Sequence, residues 1–476
     1  MASSSKRNLL ILIAALCAVL LILLPVAMLM DQQALPTEPS TSQSTTGAPT
    51  TQTPTTQAPT TVPPTTVPPT TVAPTQPPVE KVGTFTLSAT GDMLMHGPVF
   101  RASQTGNGYD FSQVFRFFAD YVSGADYAVG NLETTLAGPD FVHDSGDVGY
   151  SGYPQFNCPD GIIDGMKNAG FDLVLTANNH SYDTRTTGLN RTLEIIADRA
   201  LDHLGTQASA DEPDYLLVER GGITLGLMCY TYEDNPDPNI KAPNGHTMSA
   251  ADAPLINTFN YSELSTFYAE IDSTMDEMRD LGAEATVLFI HWGQEYHIEQ
   301  NATQSAMAQK LCDLGIDVII GGHPHVVQPV ELLTSNTDAS HKTVCLYSMG
   351  NALSNQRIAE MNLKTGHTED GVLFSVTFAK YSDGTVILES ADLLPTWVFL
   401  GTSPISGRRE YNILPLDASV SDWYAQMQLT DSMYKSCKAS FDRTMAIVGS
   451  GMAEVDAYLS QNLADTEAAL GVTGNE

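Results

Sequence analysis

From residue 84 to residue 349, the sequence alternates six short apolar runs with longer segments of helical periodicity. Such alternation predicts an α/β fold with a largely parallel sheet, because each strand returns to the sheet through a helix. The apolar runs predicted as strands are 84–90, 126–131, 171–177, 285–292, 316–322 and 343–349. The segments predicted as helices are 111–124, 160–170, 188–205, 261–282 and 301–315.

Two other segments predict antiparallel hairpins. Residues 370–394 contain two apolar stretches joined by the turn sequence SDGT, and residues 215–230 carry Gly221 and Gly222 near their centre. Tight hairpin turns favour glycine, since it adopts positive φ without a steric penalty. A second, more antiparallel layer of sheet is therefore expected beside the parallel one.

A polar cluster follows each of the six apolar runs. The carboxyl ends of parallel strands share one edge of a sheet, and α/β proteins bind ligands there, so the clusters are expected to converge. Imidazole nitrogens combined with carboxylate oxygens suit Zn, Mn or Fe better than Ca or Mg. Among others, the clusters contain Asp92, Glu133, Asn179, His180, Asp183, His291, His323 and His325.

The motif HPH directly follows the fifth run and places Pro324 between His323 and His325. If this segment is extended, side chains two residues apart share a face, so both rings can point to one centre. The alternative is a tight turn with two solvated rings. In the third cluster, Asp183 can orient the ring of His180 by binding the imidazole nitrogen that faces away from the site. Each motif alone is a weak signal, but their occurrence at six strand ends favours one site.

The N-terminal 80 residues are expected to lie outside the folded domain. Lys6 and Arg7 precede an apolar run, residues 9–30, that is long enough to cross a bilayer as a helix. The basic flank predicts a single-pass signal anchor in the cell membrane with the following chain outside the cytoplasm, and a cleaved signal peptide is the alternative. Residues 31–80 are rich in Pro and Thr. They predict a disordered linker that extends on the order of 150 Å.

The predicted organisation has four parts. Residues 1–30 form the cytoplasmic N-terminus and the transmembrane anchor, and residues 31–80 form the linker. Residues 81–394 form the α/β domain. Residues 395–476 form a helical C-terminal extension, for which the sequence predicts no function.

The charge and the cysteines exclude several classes of function. The chain has 55 acidic and 22 basic residues, a net charge of −33. Nucleic-acid binding needs a basic surface and is therefore excluded. Capture of a polyanion would need a bound metal or a local basic patch, and no basic run is visible. The six cysteines are scattered and form no CxxC pair, which predicts buried thiols rather than disulfides or a zinc ribbon.

Six motifs resemble those of the CapA family of poly-γ-glutamate capsule-synthesis proteins. In order, they are TGDMLMH, GNLETT, TANNHSYD, HWGQEY, GGHPHVVQPVE and YSMGN, and the resemblance spans roughly residues 84–394. That family is similar to the calcineurin-like metallophosphoesterases, which implies a four-layer α/β/β/α sandwich with a dinuclear metal centre. The cell membrane is a predicted partner through residues 9–30. The resemblance implies two further partners, an anionic envelope polymer such as poly-γ-glutamate and other capsule-synthesis membrane proteins.

The resemblance further implies roles for individual residues. His180, oriented by Asp183, would be the catalytic acid or oxyanion partner. The implied metal ligands are Asp92, Glu133, Asn179, His291, His323 and His325.

Two positions depart from the metallophosphoesterase pattern. No His stands two residues after Asp92, and Glu133 replaces the usual bridging Asp. Whether one or two ions bind is therefore open, and so is catalysis. Besides a role in capsule synthesis, export or anchoring, the alternatives are a metal-dependent phosphoester hydrolase and a metal-free binding or scaffold domain of the same fold.

Overall fold

The computed structural model describes residues 78–106, 108–233, 235–417 and 430–472. The predicted anchor at residues 9–30 and nearly all of the predicted linker lie outside these ranges. Within them, no helix is both long enough and apolar enough to cross a membrane. The anchor therefore stays a prediction from the sequence.

The strands follow the apolar runs of the sequence, and each of the six predicted runs contains one. In chain order the strands are β1 (Lys81–Leu94), β2 (Gln104–Thr105), β3 (Gly108–Tyr109), β4 (Tyr127–Glu133), β5 (Leu173–Leu175), β6 (Asp202–Leu204), β7 (Tyr215–Arg220), β8 (Ile223–Glu233), β9 (Thr258–Asn260), β10 (Ala285–His291), β11 (Val318–Gly322), β12 (Val330–Thr334), β13 (Lys342–Leu346), β14 (Asn351–Leu353), β15 (Asp370–Tyr381), β16 (Val386–Thr402) and β17 (Arg409–Pro415).

Helices connect most of the parallel strands. They are α1 (Gly97–Ala102), α2 (Ser112–Phe115), α3 (Ala119–Val122), α4 (Gly161–Ala169), α5 (Arg185–Asp198), α6 (Leu264–Asp280), α7 (Ala302–Leu314), α8 (Ile358–Met361) and α9 (Asp431–Leu470). Local sequence explains their ends. At the start of α7, Asn301 and Gln304 form a reciprocal capping box, and Gly315 ends the helix at a φ of 94°.

The strands form two mixed sheets. The first has the order β17–β16–β15–β1–β4–β5–β6, with β14 beside the end of β1, and its strands β1, β4, β5 and β6 are parallel. The second has the order β12–β13–β11–β10–β8–β7, with β9 beside β8. Its centre is parallel, and β7 and β12 are antiparallel edge strands.

Both predicted hairpins are confirmed. The β7–β8 turn contains Gly221 and Gly222 with φ of 56° and 75°, and the β15–β16 turn contains Gly384 with φ of 97°. These left-handed conformations are the ones that glycine adopts at no steric cost. The sequence therefore predicted these turns from local backbone chemistry.

The two sheets pack face to face around a shared apolar core. Phe85 and Val129 of the first sheet and Leu225 and Phe289 of the second belong to this core. The outer face of the first sheet is covered by α2 to α5, and the outer face of the second by α6 and α7. The layer order is helix, sheet, sheet, helix, a mixed α/β arrangement consistent with a metallophosphoesterase-like domain. Each of the five cysteines in the described ranges is buried and unpaired, as predicted.

Two predicted helices differ from the structure. Segment 111–124 forms the two short helices α2 and α3 instead of one helix. Predicted helix 188–205 ends at Asp198, and its last residues form the edge strand β6. Short apolar stretches fit either type of element, so packing against the first sheet decides between them.

The C-terminal region is an integral part of the sandwich. The predicted domain boundary at residue 394 is wrong, because it falls inside β16 and the first sheet continues through β17. The prediction of helix holds in the described residues after 430, where α9 runs for 40 residues. Its side chains Val448, Val455 and Leu459 enter the core between the sheets. Helix α9 therefore completes the core rather than extending from it.

Candidate metal centre

All eight candidate residues lie at the carboxyl ends of five strands. Asp92 is near the end of β1, Glu133 ends β4 and His291 ends β10. The other five follow β5 or β11 in the chain. None of the eight exposes more than 6% of its surface to solvent. The structure therefore brings these polar clusters together in a buried group.

Asp92 is held by several donors. Its Oδ1 accepts a hydrogen bond from Asn131 Nδ2 at 2.7 Å, and its Oδ2 accepts one from the backbone N–H of His323 at 3.2 Å. His325 Nδ1 lies 3.1 Å from the same Oδ2. Burial acts to raise the pKa of Asp92, but the hydrogen bond from His325 and the charges of His291 and His325 outweigh it, so the pKa is lowered. Asp92 is therefore an ionised, well-anchored carboxylate.

Glu133 has no comparable partners. It is fully buried, yet neither of its carboxylate oxygens has a hydrogen-bond partner among the described residues. His291 Nε2 and His325 Nε2 lie 3.5 Å and 3.7 Å from Glu133 Oε1, and neither contact is a hydrogen bond. Ligand atoms bound about 2.1 Å from a tetrahedral metal ion are separated by about 3.4 Å. These spacings therefore suit a metal ligand better than an ion pair.

Besides the two oxygens of Glu133, the Nδ1 atom of His323 is buried and has no hydrogen-bond partner among the described residues. Glu133, His323 and His325 each offer one ligand atom, and the three atoms lie within 4.8 Å of one another. An unpartnered buried polar atom is unfavourable unless a ligand satisfies it. One carboxylate and two imidazoles suit Zn, Mn or Fe. These three residues therefore fit a divalent metal ion.

The backbone of the HPH motif is left-handed rather than extended. His323 and His325 have φ of 94° and 56°. The prediction that they share a face of an extended segment is therefore wrong, although their rings do approach, with centroids 5.9 Å apart. Left-handed backbone costs a non-glycine residue about 1–3 kcal/mol and is typically found at functional sites. The backbone N–H of Tyr296 donates to the Pro324 carbonyl at 2.8 Å and helps to hold this turn.

The two histidines of this motif have opposite pKa shifts. Burial lowers the pKa of His323, and the charges of His291 and His325 lower it further, well below the usual value. Burial also acts to lower the pKa of His325, but Glu133 and Asp92 raise it to about 9. Since a metal binds neutral imidazole, it must displace a proton from His325 but not from His323.

Asn179 and His291 are joined to each other beside this three-residue group. His291 Nε2 lies 2.9 Å from Asn179 Oδ1. The amide oxygen can only accept, so the Nε2 atom carries the hydrogen in this arrangement. The ring of His291 packs 4.9 Å from that of His323. The structure therefore places these two predicted ligands next to the group but bonded to one another.

His180 and Asp183 form a buried pair next to Asn179. His180 Nδ1 lies 2.8 Å from Asp183 Oδ2, which also accepts from the backbone N–H of Phe156 at 2.7 Å. Burial acts to lower the pKa of His180, but the charge and hydrogen bond of Asp183 raise it above its usual value. Asp183 thereby fixes the orientation of the imidazole, and a role of this pair in a reaction stays a prediction.

Residues 86–356 match the model of the family described as "Bacterial capsule synthesis protein PGA_cap". The match covers more than half of the chain and includes all eight candidate residues. The chain belongs to the PGA_cap family.

Two relatives of this PGA_cap chain carry the name CapA. The capsule biosynthesis protein CapA of Bacillus anthracis is 25% identical over 341 residues, which cover 70% of this chain and 74% of the relative. The PGA biosynthesis protein CapA of Bacillus subtilis (strain 168) is 26% identical over 284 residues, which cover 59% of this chain and 66% of the relative, just under two thirds. The resemblance to the CapA family is confirmed, and it supports a capsule-related role.

Several residues near the candidate metal centre were not among the eight candidates. Asn131 and Asn351 stand in the strand-end clusters, and Asn351 Oδ1 lies 3.2 Å from His325 Nδ1, so a local signal for them existed. Asn244 and His246 follow β8 without any strand-end motif. Asn244 Nδ2 donates to Asp183 Oδ1 at 2.9 Å, and His246 Nε2 lies 3.8 Å from the same oxygen. Only the fold reveals these two.

His96 lies at the rim of the candidate metal centre. Its ring packs edge-on against Phe156 with centroids 5.4 Å apart, and its Nδ1 accepts a hydrogen bond from the backbone N–H of Asn355 at 3.3 Å. Burial, assisted by the charge of His325, lowers the pKa of His96 to about 4. The ring is therefore neutral at pH 7.

Proposed function

We propose that this PGA_cap protein acts in the synthesis, export or anchoring of a poly-γ-glutamate capsule. We further propose that this role requires a divalent metal held by Glu133, His323 and His325. The observation that carries the proposal is the buried Glu133 carboxylate, which has no hydrogen-bond partner among the described residues and lies inside the family match. The relatives' names, a capsule biosynthesis protein and a PGA biosynthesis protein, supply the polymer.

The neighbouring residues would position these ligands. Asp92 contacts His325 Nδ1 at 3.1 Å and so leaves the opposite nitrogen, Nε2, facing Glu133. His291 and Asn179 lie beside these three residues. They could also bind the ion if the hydrogen bond between them were broken. Mn, Fe or Zn suits this donor set. A bound ion would supply Lewis acidity toward an oxygen of the polymer.

The proposed location is the outer side of the cell membrane. Residues 9–30 support a single-pass anchor, and residues 31–80 support a spacer between the anchor and the domain. The proposed partners are the membrane, the anionic envelope polymer and other capsule-synthesis membrane proteins. The net charge of −33 argues against a nucleic-acid partner.

A complementation experiment in a polymer-producing strain tests this function. Deletion of the gene is expected to abolish surface γ-linked glutamate. Wild type and the control Glu331→Gln are expected to restore it, and Glu133→Gln is expected to fail at equal protein level. Unchanged polymer after deletion would contradict the capsule role. Full restoration by Glu133→Gln would contradict the metal requirement.

A second candidate function is a metal-dependent phosphoester hydrolase, which the buried His180–Asp183 pair favours. His180 would hold a proton for a leaving oxygen, and Asp183 would keep the ring in place. Purified protein with Mn²⁺ would be assayed on phosphoester substrates. Activity that is lost in both His180→Gln and His323→Ala supports hydrolysis, and activity that survives both contradicts it. Specific polymer binding without bound metal would instead favour a scaffold.

A further inference from the structure

A pocket of about 570 Å³ is lined by basic side chains and by Asn355, whose backbone N–H donates to His96. Its walls include Arg101, Arg408 and Arg409 and a single carboxylate, Glu360. The chain as a whole has 55 acidic and 22 basic residues, so this pocket reverses the overall charge ratio. Arg101 lies in α1, whereas Arg408 and Arg409 stand at the start of β17. The fold alone assembles this basic patch from distant parts of the sequence.

The three arginines are available to a ligand. All three are exposed, and none forms an ion pair with another described residue. Arg357 behaves differently, because it forms an ion pair with Glu369 at 2.9 Å and is partly buried. Arg408 donates to the backbone carbonyl of Gln104, and its charge also acts on the Asp110 carboxylate. The pocket therefore presents guanidinium groups that the described residues do not hold in ion pairs, with Glu360 as its one carboxylate.

Hydrogen bonds connect the pocket to His96, at the rim of the candidate metal centre. Tyr411 and Asn355 both line the pocket, and the Tyr411 hydroxyl donates to Asn355 Oδ1. The backbone N–H of Asn355 donates in turn to His96 Nδ1, at the rim of the site. Burial raises the pKa of Tyr411 to about 12, so its hydroxyl stays protonated and does not repel an anion. The pocket thus adjoins His96, on which the charges of His325 and Glu133 also act.

We infer that this pocket binds free carboxylates of the polymer chain while a neighbouring unit lies at the metal centre, an inference that rests on the proposed function. Poly-γ-glutamate carries one free carboxylate on every residue, and arginine pairs with carboxylates through two parallel hydrogen bonds. The pocket also explains how a strongly acidic protein holds a polyanion, since the required positive charge is concentrated beside the site.

Binding of a synthetic oligo-γ-glutamate to the full-length protein in detergent tests the inference. The variant is Arg101→Gln/Arg409→Gln. Its matched control is Arg199→Gln/Arg279→Gln, which removes the same charge directly after α5 and within α6. Calorimetry is expected to show that the pocket variant weakens binding at least about tenfold and flattens its salt dependence, while the control changes affinity less than about twofold. Arg101→Lys/Arg409→Lys keeps the charge but cannot form the two parallel hydrogen bonds, so it is expected to recover only part of the affinity.

The outcomes separate this inference from the proposed function. Equal affinities of the pocket variant and its control, with both variants folded, overturn the pocket assignment. A capsule role established by complementation would then still stand. If the wild-type protein does not bind oligo-γ-glutamate but binds an oligomeric glycerol phosphate through the same arginines, the inference is wrong about the class of ligand. Loss of oligo-γ-glutamate binding in the pocket variant alone supports the inference.

Discussion

Two buried carboxylates, Asp370 and Glu133, differ in their hydrogen-bond partners. Asp370 accepts hydrogen bonds from Arg443 Nε at 2.7 Å and Arg443 Nη2 at 2.6 Å, and from Ser440 Oγ at 2.6 Å. Glu133 accepts none from the described residues. Side chains of α9 thus neutralise the Asp370 carboxylate, and these bonds join α9 to β15. The contrast supports the proposal that Glu133 binds a metal ion.

Removing the partner of Asp370 is expected to have the largest effect. Arg443→Met should lower the free energy of unfolding by about 3–5 kcal/mol, because it leaves a buried carboxylate uncompensated. Chemical denaturation measures this change. The matched control Lys438→Met, on the same helix and paired with exposed Asp442, should cost less than about 1 kcal/mol. Equal effects of the two variants would show that the Asp370–Arg443 pair does not hold α9.

Glu133→Gln is expected to behave in the opposite way. In the presence of chelator, its free energy of unfolding should change by less than about 1 kcal/mol, because the variant removes a buried carboxylate that accepts no hydrogen bond but also removes its attraction to His325. Asp92→Asn is the control and should destabilise, since Asp92 accepts from Asn131 and from the His323 backbone. If Glu133→Gln destabilises the chelated protein as much as Asp92→Asn does, Glu133 is structural.

The left-handed backbone at His323 offers a smaller test of the same site. At a φ of 94°, His323→Gly should be more stable than His323→Ala by about 1–2 kcal/mol, because only glycine adopts this conformation without strain. Both variants lose the imidazole, so the comparison isolates the backbone. Thermal or chemical denaturation measures it. A more stable Ala variant would contradict the conformation assigned to this turn.

The smallest expected effect concerns His96 and pH. The pKa of His96 is about 4 in the folded protein and near 6.5 when unfolded, so the folded state binds fewer protons. Its contribution to stability is complete above pH 6.5 and is lost as the pH falls toward 4. The stability difference between wild type and His96→Gln should therefore shift by about 0.7 kcal/mol, against wild type, from pH 7 to pH 6. A pH-independent difference would contradict the lowered pKa.

The sequence predicted that the candidate residues converge, because its signals are local. Asp92, Glu133 and His291 stand where apolar runs end, and the topology of parallel strands brings such ends to one edge. The left-handed turn at His323 could not be predicted in this way. Its backbone N–H donates to Asp92, which lies 231 residues earlier in the chain, and no local signal encodes that contact.

The basic pocket and the packing of α9 were missed for a related reason. Arg101 and Arg409 belong to no basic run, so no window of the sequence contains the patch. The helical pattern after residue 430 was visible, but its apolar residues did not reveal which surface they cover. Val448 and Val455 fill the core between two sheets whose pairing is itself a tertiary property.

Metal content tests the central claim most directly. The full-length protein, purified without chelator, would be analysed by elemental mass spectrometry as wild type, Glu133→Gln and the control Glu331→Gln. We expect stoichiometric Mn, Fe or Zn in wild type and in Glu331→Gln, and its loss in folded Glu133→Gln. Wild-type protein that binds none of these metals even when they are supplied, or Glu133→Gln protein that keeps the wild-type content, would contradict the account.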